Sequence, residues 1–298
     1  MNWRFVLPLY FALSAAAFGQ ARAVVTAEGR HGAAPGAVSK DDVEVRVNQK
    51  PIGVNEWVPL RGEQGALELY VLIDDGEDSD LANQYSALRD FMNQQPADAH
   101  IGVAYLQNGA ARIAVPVTAD RERVSKALRT PLAEPGISAS PYMGVSDLIK
   151  KWPAANARRE ILLITSGIDP WSPPDPQNPY LEKAISDAQR AGVIVHTIYF
   201  PEAGHLGHSL WRANWGQNYL SELSDQTGGE FYWQGVATPV SIAPYLKDLT
   251  QRLGNQYLLT TAELPNGARS KENLESLHVS STRSGVSLES AARIDMRR

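Results

Sequence analysis

Leu67-Glu68-Leu69-Tyr70-Val71-Leu72-Ile73-Asp74-Asp75-Gly76-Glu77-Asp78 decides the fold. From Leu67 to Ile73 the chain is a dense apolar run of strand length, and it stops at a loop rich in carboxylates. A short run that is apolar on both faces belongs in the buried middle of a sheet. Leu81, Tyr85, Leu88, Phe91 and Met92 then recur at the spacing of one helix face. The unit is a central strand, an acidic loop and an amphipathic helix.

Downstream, the same alternation continues. Ile101 to Leu106 reads as the next strand, Asn108-Gly109 as a two-residue hairpin turn, and Arg112 to Val117 as a strand returning antiparallel. Thr118 is placed to cap a helix running to about Arg129. Ser140-Pro141 has the form of an N-cap with proline at the first helical position, and Val145, Leu148, Ile149 and Trp152 follow on one face. Glu160 to Thr165 is a second buried strand. After a loop from Ser166 to Pro179 that carries five prolines, Leu181, Ala184, Ile185 and Ala188 mark a helix ended by Gly192. Val193 to Phe200 is a third buried strand, and Pro201 to about Trp215 is a polar and aromatic loop. A helix around Asn218 to Gln226 stops at Gly228-Gly229. Glu230 to Trp233 is a short strand, and Ile242, Leu246, Leu249 and Leu253 carry the last helix. Strands alternating with helices over such a length predict an α/β fold: a mostly parallel, doubly wound sheet covered on both faces, with the hairpin strand as an antiparallel edge.

Upstream, Val43 to Val47 alternates with period two and reads as a half-exposed strand, Asn48-Gln49-Lys50-Pro51 as a turn, and Ile52 to Val58 as a second strand. At the other end, Tyr257–Thr261, Leu274–Ser280 and Val286–Ser290 read as antiparallel strands. Whether these join the main sheet, pair with residues 43–58 or form their own lobe is left open by the sequence. At the amino end, Arg4, the apolar run from Phe5 to Phe18 and Ala21-Arg22-Ala23 have the pattern of a signal peptide with an A-x-A cleavage site, the run being too short to span a bilayer comfortably. The expected divisions are 1–23 signal peptide, 24–41 linker, 42–64 N-terminal β-extension, 65–255 α/β domain and 256–298 C-terminal β-extension. The mature chain, without a transmembrane segment, is expected to be exported, to the periplasm or the medium.

Composition narrows the chemistry. The chain has 298 residues, no cysteine and a net charge of -5. Thiolate metal sites, disulfides and a cysteine nucleophile are excluded. There is no cluster of Lys and Arg of the kind that neutralises phosphates, which argues against a nucleic-acid partner.

Four segments resemble the von Willebrand factor type A family, and within it the exported bacterial proteins with β-extensions on both sides of the domain. Leu69 to Asp74 looks like the family's first strand, ending in its metal-site Asp. Ile161 to Gly167 looks like the strand that ends in Thr-Asp-Gly. Ala184 to Ile198, with Ala191-Gly192-Val193 inside it, looks like the following helix and strand. Thr227-Gly228-Gly229-Glu230-Phe231-Tyr232 looks like the entry to the last strand. The resemblance implies a doubly wound sheet with an antiparallel edge strand, and a role in binding a protein or surface ligand rather than in catalysis.

It also implies a divalent cation at the carboxyl ends of the strands, held by Asp-x-Ser-x-Ser, a Thr and a further Asp. This chain departs from that pattern. Asp74 matches the first Asp, but Gly76 and Asp78 stand at the two Ser positions, Ser140 (with Ser138 behind it) is the best candidate for the Thr, and Ser166 replaces the last Asp, with Asp169 three residues on. One reading is a degenerate site carrying no cofactor. The other is Mg or Ca held by a changed set, Asp74 and Asp78 with Asp75 or Glu77, since an acidic loop suits hard cations. The blander alternatives are that the acids only lead a helix and that Ser140 is only an N-cap. A hydrolase would need either a metal or a serine such as Ser166, yet the sequence shows no convergent acid/base set. A purely structural envelope component is a third possibility. His205 and His208 could hold zinc only with a third ligand; His196, inside an apolar strand, reads as core. Trp171, Trp211 and Trp215 sit in the two long loops and are the expected partner-binding residues.

Overall fold

Residues 21–30, 33–133, 139–262 and 274–295 are described by the computed structural model; residues 1–20, most of the expected signal peptide, Ser138 and residues 296–298 lie outside them. Four strands come first: β1 (Arg22–Gly29), β2 (Val43–Val47), β3 (Lys50–Ile52) and β4 (Val54–Pro59). The α/β unit follows: β5 (Leu67–Asp74), α1 (Tyr85–Gln94), β6 (His100–Gln107), β7 (Ala110–Thr118), α2 (Arg121–Lys126), α3 (Pro141–Lys151), β8 (Arg158–Thr165), α4 (Pro179–Ala191), β9 (Val193–Tyr199), α5 (Leu210–Thr227), β10 (Phe231–Tyr232) and α6 (Ala243–Gly254). The chain closes with β11 (Gln256–Thr261), β12 (Leu274–Ser281), β13 (Val286–Ser290) and β14 (Arg293–Asp295).

The central sheet has the order β10-β9-β8-β5-β6-β7. Every neighbouring pair is parallel except β6 with β7. Asn108 and Gly109 both take positive φ at the hairpin, 50° and 71°, the geometry that a two-residue turn between twisted strands requires. Alternate residues of each strand supply the two cores. Leu69, Val71 and Ile73 of β5, with Leu162 and Ile164 of β8, face α1, α2 and α6. Tyr70 and Leu72, with Ile161 and Leu163, face α3, α4 and α5. The doubly wound α/β sheet with its antiparallel edge strand is thus what the alternation predicted.

The strands at the two ends of the chain form one body. Two four-stranded sheets, β13-β1-β11-β4 and β14-β12-β2-β3, share a core of Val25, Val43, Val45, Val47, Leu259, Leu277 and Val279. Both sheets mix strands from the two ends: β1 lies between β11 and β13, and β2 pairs with β12. The α/β unit is inserted between β4 and β11 of this sandwich.

Four local expectations change. Residues 22–29, read in part as linker, form β1, because Val24-Val25-Thr26 has the β-branched side chains that suit a pleated surface. The helix expected to start at Thr118 is shorter; Asp120 caps it by accepting from Arg123 N. The second upstream strand is split at Gly53 into β3 and β4. Helix α5 begins at Leu210 rather than near Asn218, capped by Ser209, so Trp211 and Trp215 stand on a helix and not in a loop.

Candidate functional site

All the parallel strands of the central sheet end on one rim, where open α/β sheets generally bind ligands. Asp74 is the last residue of β5 and is buried. One carboxylate oxygen accepts from Gly76 N (3.0 Å) and the other from the Thr165 hydroxyl (2.8 Å) at the end of β8. Burial, with Asp75 adding to it, pushes the Asp74 carboxyl up to about 6, against these two bonds.

The loop after Asp74 does not follow the expected pattern. Glu77 and Glu202 form an isolated antiparallel bridge, fixed by Asp78 N donating to Pro201 O (3.2 Å) and Ala203 N to Gly76 O (3.0 Å). This bridge turns Glu77 inward. Only 1% of Glu77 is exposed; Oε1 accepts from Ser166 N (2.6 Å) and Oε2 is buried without a hydrogen-bond partner. Burial, then the carboxylates of Asp74 and Glu202, hold its pKa well above the usual carboxylate range. Glu202 is buried as well.

The other candidate ligands have separate occupations. Asp78 points outward and caps a 3-10 turn, accepting from Asp80 N (2.9 Å). Ser140 is buried but makes no capping bond; its hydroxyl donates to Asp169 Oδ2 (2.8 Å). Asp169 also accepts from Asn178 Nδ2, Trp171 N and Ser172 N, so it organises the proline-rich loop. The Ser166 hydroxyl is buried and accepts from Ile168 N (3.3 Å). Asp75 is fully buried and takes both guanidinium nitrogens of Arg129 (2.6 and 2.5 Å) and Gln107 Nε2 (2.6 Å). Arg129 in turn lies over the Tyr105 ring, 3.8 Å from its centroid. Of the candidate set, then, Asp74 is brought to Thr165, Ser140 to Asp169, and Asp78 to its own helix start.

His196 sits inside the sheet, its Nε2 2.8 Å from Glu160 and its Nδ1 accepting from Glu230 N, as a core histidine would. Among the described residues, the three carboxylates that converge most closely are Glu28, Glu230 and Glu289, and they lie elsewhere, at the joint with the sandwich.

Exposed large apolar side chains gather around the rim. Among the described residues, the large hydrophobic side chains left exposed are Ile113, Leu132, Trp171, Leu210, Trp211, Trp233 and Val240. All but Ile113 lie on rim loops or on the first turn of α5. Leu132 N reaches Asp75, Trp171 follows β8, Leu210 and Trp211 open α5, Trp233 follows β10, and Val240 O accepts from Gln84 just before α1. Trp171 is 52% exposed, Trp211 59% and Trp233 54%. Trp215 differs: it packs against the core and tilts on Tyr219 at 5.6 Å. Trp233 escaped the sequence reading, which placed it inside a strand that the structure ends at Tyr232.

No family model matches the sequence, and no curated protein matches it. Solved structures are similar at low identity. Conserved hypothetical protein BatB from Bacteroides thetaiotaomicron is 12% identical, covering 63% of this chain and 97% of that one, with a TM-score of 0.46. An aerotolerance-related membrane protein from Bacteroides fragilis gives 12%, 63%, 98% and 0.47 in the same terms, and a von Willebrand factor type A protein from Catenulispora acidiphila 13%, 96%, 76% and 0.44. By the strand order, the antiparallel edge strand and the helices on both faces, the fold is von Willebrand factor type A-like.

Proposed function

We propose that the protein is an extracytoplasmic protein-binding module whose partner docks on the carboxyl rim, against Trp171, Trp211 and Trp233. The observation that carries this is the segregation of exposed large apolar side chains to that rim. Exposed tryptophans gathered on one face are the residues that dominate interface energies when a partner buries them. Trp215 supports the rim from below rather than touching the partner. The reading is a binding module rather than an enzyme: the Ser166 hydroxyl is buried and bonded to the next turn of its own loop.

The test is a photo-crosslinking amino acid placed at 171, at 211 and, as a control, at exposed Asn156 before β8 on the opposite pole. The expected result is a protein adduct, formed in cells, from 171 and 211 but not from 156. Equal adducts at all three positions, or none at the rim, would refute it.

On the metal, the reading is a degenerate adhesion site. Asp74, Asp78 and Ser140, the residues nearest the family's pattern, are bonded within the chain and do not form one open ligand set. One observation favours the alternative: buried Glu77 Oε2 has no partner, which an ion such as Mg²⁺ or Ca²⁺, held with Asp74, would supply. A cation-dependent melting point separates the two readings.

Export is part of the proposal, with one adjustment. A cut after Ala23 would remove Arg22 and Ala23, which pair with Thr260 and Leu259 in β1. A cut after Ala17-Phe18-Gly19 would leave β1 whole. Mass spectrometry of the secreted or periplasmic chain is expected to find Gln20 at its start; a start at Val24 would contradict this.

A further inference from the structure

Helix α6 runs into β11 with one residue, Asn255, between them, so its last turn lies where the α/β unit meets the sandwich. Arg252 stands in that turn. Its guanidinium reaches Glu28 of β1 and Glu289 of β13 on the sandwich side, and Glu230 and Asp248 on the α/β side. Glu289 is paired across the strands with Thr26, two residues from Glu28 and on the same face of the sheet.

A guanidinium has five N–H donors, enough to bond each of these acids, but it carries a single charge. Among the described residues, four carboxylates therefore share one cation. The groups that face them do not make up the difference. His196 of β9 faces Glu230, yet its Nδ1 accepts from Glu230 N and its Nε2 lies 2.8 Å from Glu160. A proton on Nδ1 would break the first of these bonds. Asp225 of α5 adds a further acid beside Glu289, and the Tyr232 hydroxyl donates to Asp248 Oδ2 (2.8 Å). Arg252 is 11% exposed and Glu28 23% in their side chains, so water screens the surplus only in part.

Protons can relieve it. Burial pushes the Glu28 carboxyl up to about 7 against the pull of Arg252, with Glu289, Glu230 and Asp248 adding to the rise. Burial raises Glu230 as well. What the cluster holds is local. Ala27 N donates to Asn255 O (3.0 Å) and Ala292 N to Gln226 O (3.1 Å), both across the joint, and Thr197 N of β9 donates to Glu230 O (2.9 Å). The edge strand β10 has only two residues, and two of the four acids hold it: Glu230 at its start, and Asp248 through Tyr232.

We propose that this joint is a latch closed by protons: as pH rises and Glu28 and Glu230 give theirs up, the carboxylates around Arg252 repel one another, and β1, β13 and β10 part locally from α6 while both cores stay folded. The closed state binds more protons than the open one. The latch is therefore fully closed below the ordinary glutamate range and opens as pH rises through about 7. Trp233 follows β10 directly, so the latch also sets how firmly that tryptophan is held at the rim. This consequence, and not the opening itself, rests on the rim being a docking surface.

The test is residue-resolved amide hydrogen exchange of the purified chain from Gln20 onward, from about pH 5 to pH 8, with each rate divided by the intrinsic rate at that pH. Protection at Ala27, Ala292 and Thr197 should fall about tenfold or more across that range. At its upper end these amides should exchange faster than Val71 of β5 and Val45 of β2, which mark the two cores. In the double variant Glu28→Gln, Glu230→Gln, nearly isosteric with the protonated acids, protection at the three amides should stay at its acid value, with Val71 and Val45 reporting that the fold is kept. Protection that does not change with pH would overturn the inference. So would a fall that persists in the double variant, or joint amides that exchange no faster than the cores at the upper end.

Discussion

Two clusters of carboxylates stand in this molecule; burial raises the proton affinity of acids in both, Glu28 and Glu230 as well as Asp74 and Glu77, but they differ in whether a cation of the chain stands at their centre. At the joint between α6 and the sandwich, Glu28 of β1, Glu230 before β10, Asp248 of α6 and Glu289 of β13 all reach Arg252. At the rim, Asp74, Glu77 and Glu202 are more deeply buried, and among the described residues no arginine or lysine is within ion-pair distance of Asp74 or Glu77. Asp75 beside them pairs with Arg129. The joint uses a cation of the chain to tie elements together. At the rim Asp74 and Glu77 accept from main-chain donors and a hydroxyl, and burial raises their affinity for protons.

The comparison breaks first if Arg252 is dispensable. Arg252→Met should leave four carboxylates without their common partner. Breaking a largely buried pair typically costs 3–5 kcal/mol, and since these acids are partly exposed we expect about 3 kcal/mol. Urea denaturation measures it; a loss below about 1 kcal/mol would mean the joint is held by apolar packing alone.

Next comes Asp75→Asn, which removes the charge that faces Arg129 while keeping the shape. The guanidinium is 41% exposed on its side chain and the carboxylate is fully buried. Arg129 can therefore return to water, and the loss should be about 2 kcal/mol, mostly of charge-assisted hydrogen bonds.

Glu77→Gln should have the smallest effect, and its sign separates the two clusters. If burial keeps Glu77 protonated, glutamine is nearly isosteric with the form already present, and stability at neutral pH should be unchanged or higher. The pH dependence follows from linkage. Asp74, Glu77 and Glu28 all have folded pKa values above their unfolded ones, so the folded state binds more protons. Their contribution is complete below pH 4 or so and is lost as pH rises through the folded values, about 6 for Asp74 and about 7 for Glu28. Stability measured from pH 5 to 8 should fall less steeply in Glu77→Gln than in the parent chain. An unchanged slope, with a loss of stability at every pH, would show that Glu77 is ionised and paired.

Much of the α/β core was legible because it rests on local periodicity. The runs at Leu69–Ile73, Ile161–Ile164 and Val193–Ile198 have no other good home than a buried parallel sheet. The sandwich was half legible: its strands could be found, but the pairing of β1 with β11 joins residues more than two hundred positions apart, and nothing local encodes that. β1 itself was obscured by the small residues around it. At the rim, Asp74 could be picked out as a residue ending a strand. The roles of Asp78 and Glu77 could not, because they depend on the bridge between Glu77 and Glu202, which exchanges the inward and outward positions of the loop. The early start of α5 was hidden by its polar sequence. The Ser209 cap shows where it begins.

The most direct test of the rim is a thermal melt of the purified chain from Gln20 onward with EDTA, Mg²⁺, Mn²⁺ and Ca²⁺, repeated with Asp74→Ala. An ion that binds only the folded chain must raise Tm by mass action. A rim closed by protons and its own donors predicts the same Tm in all four conditions. A rise specific to one cation, saturating with its concentration and absent from Asp74→Ala, would contradict this and mean that the rim carries a rebuilt metal site.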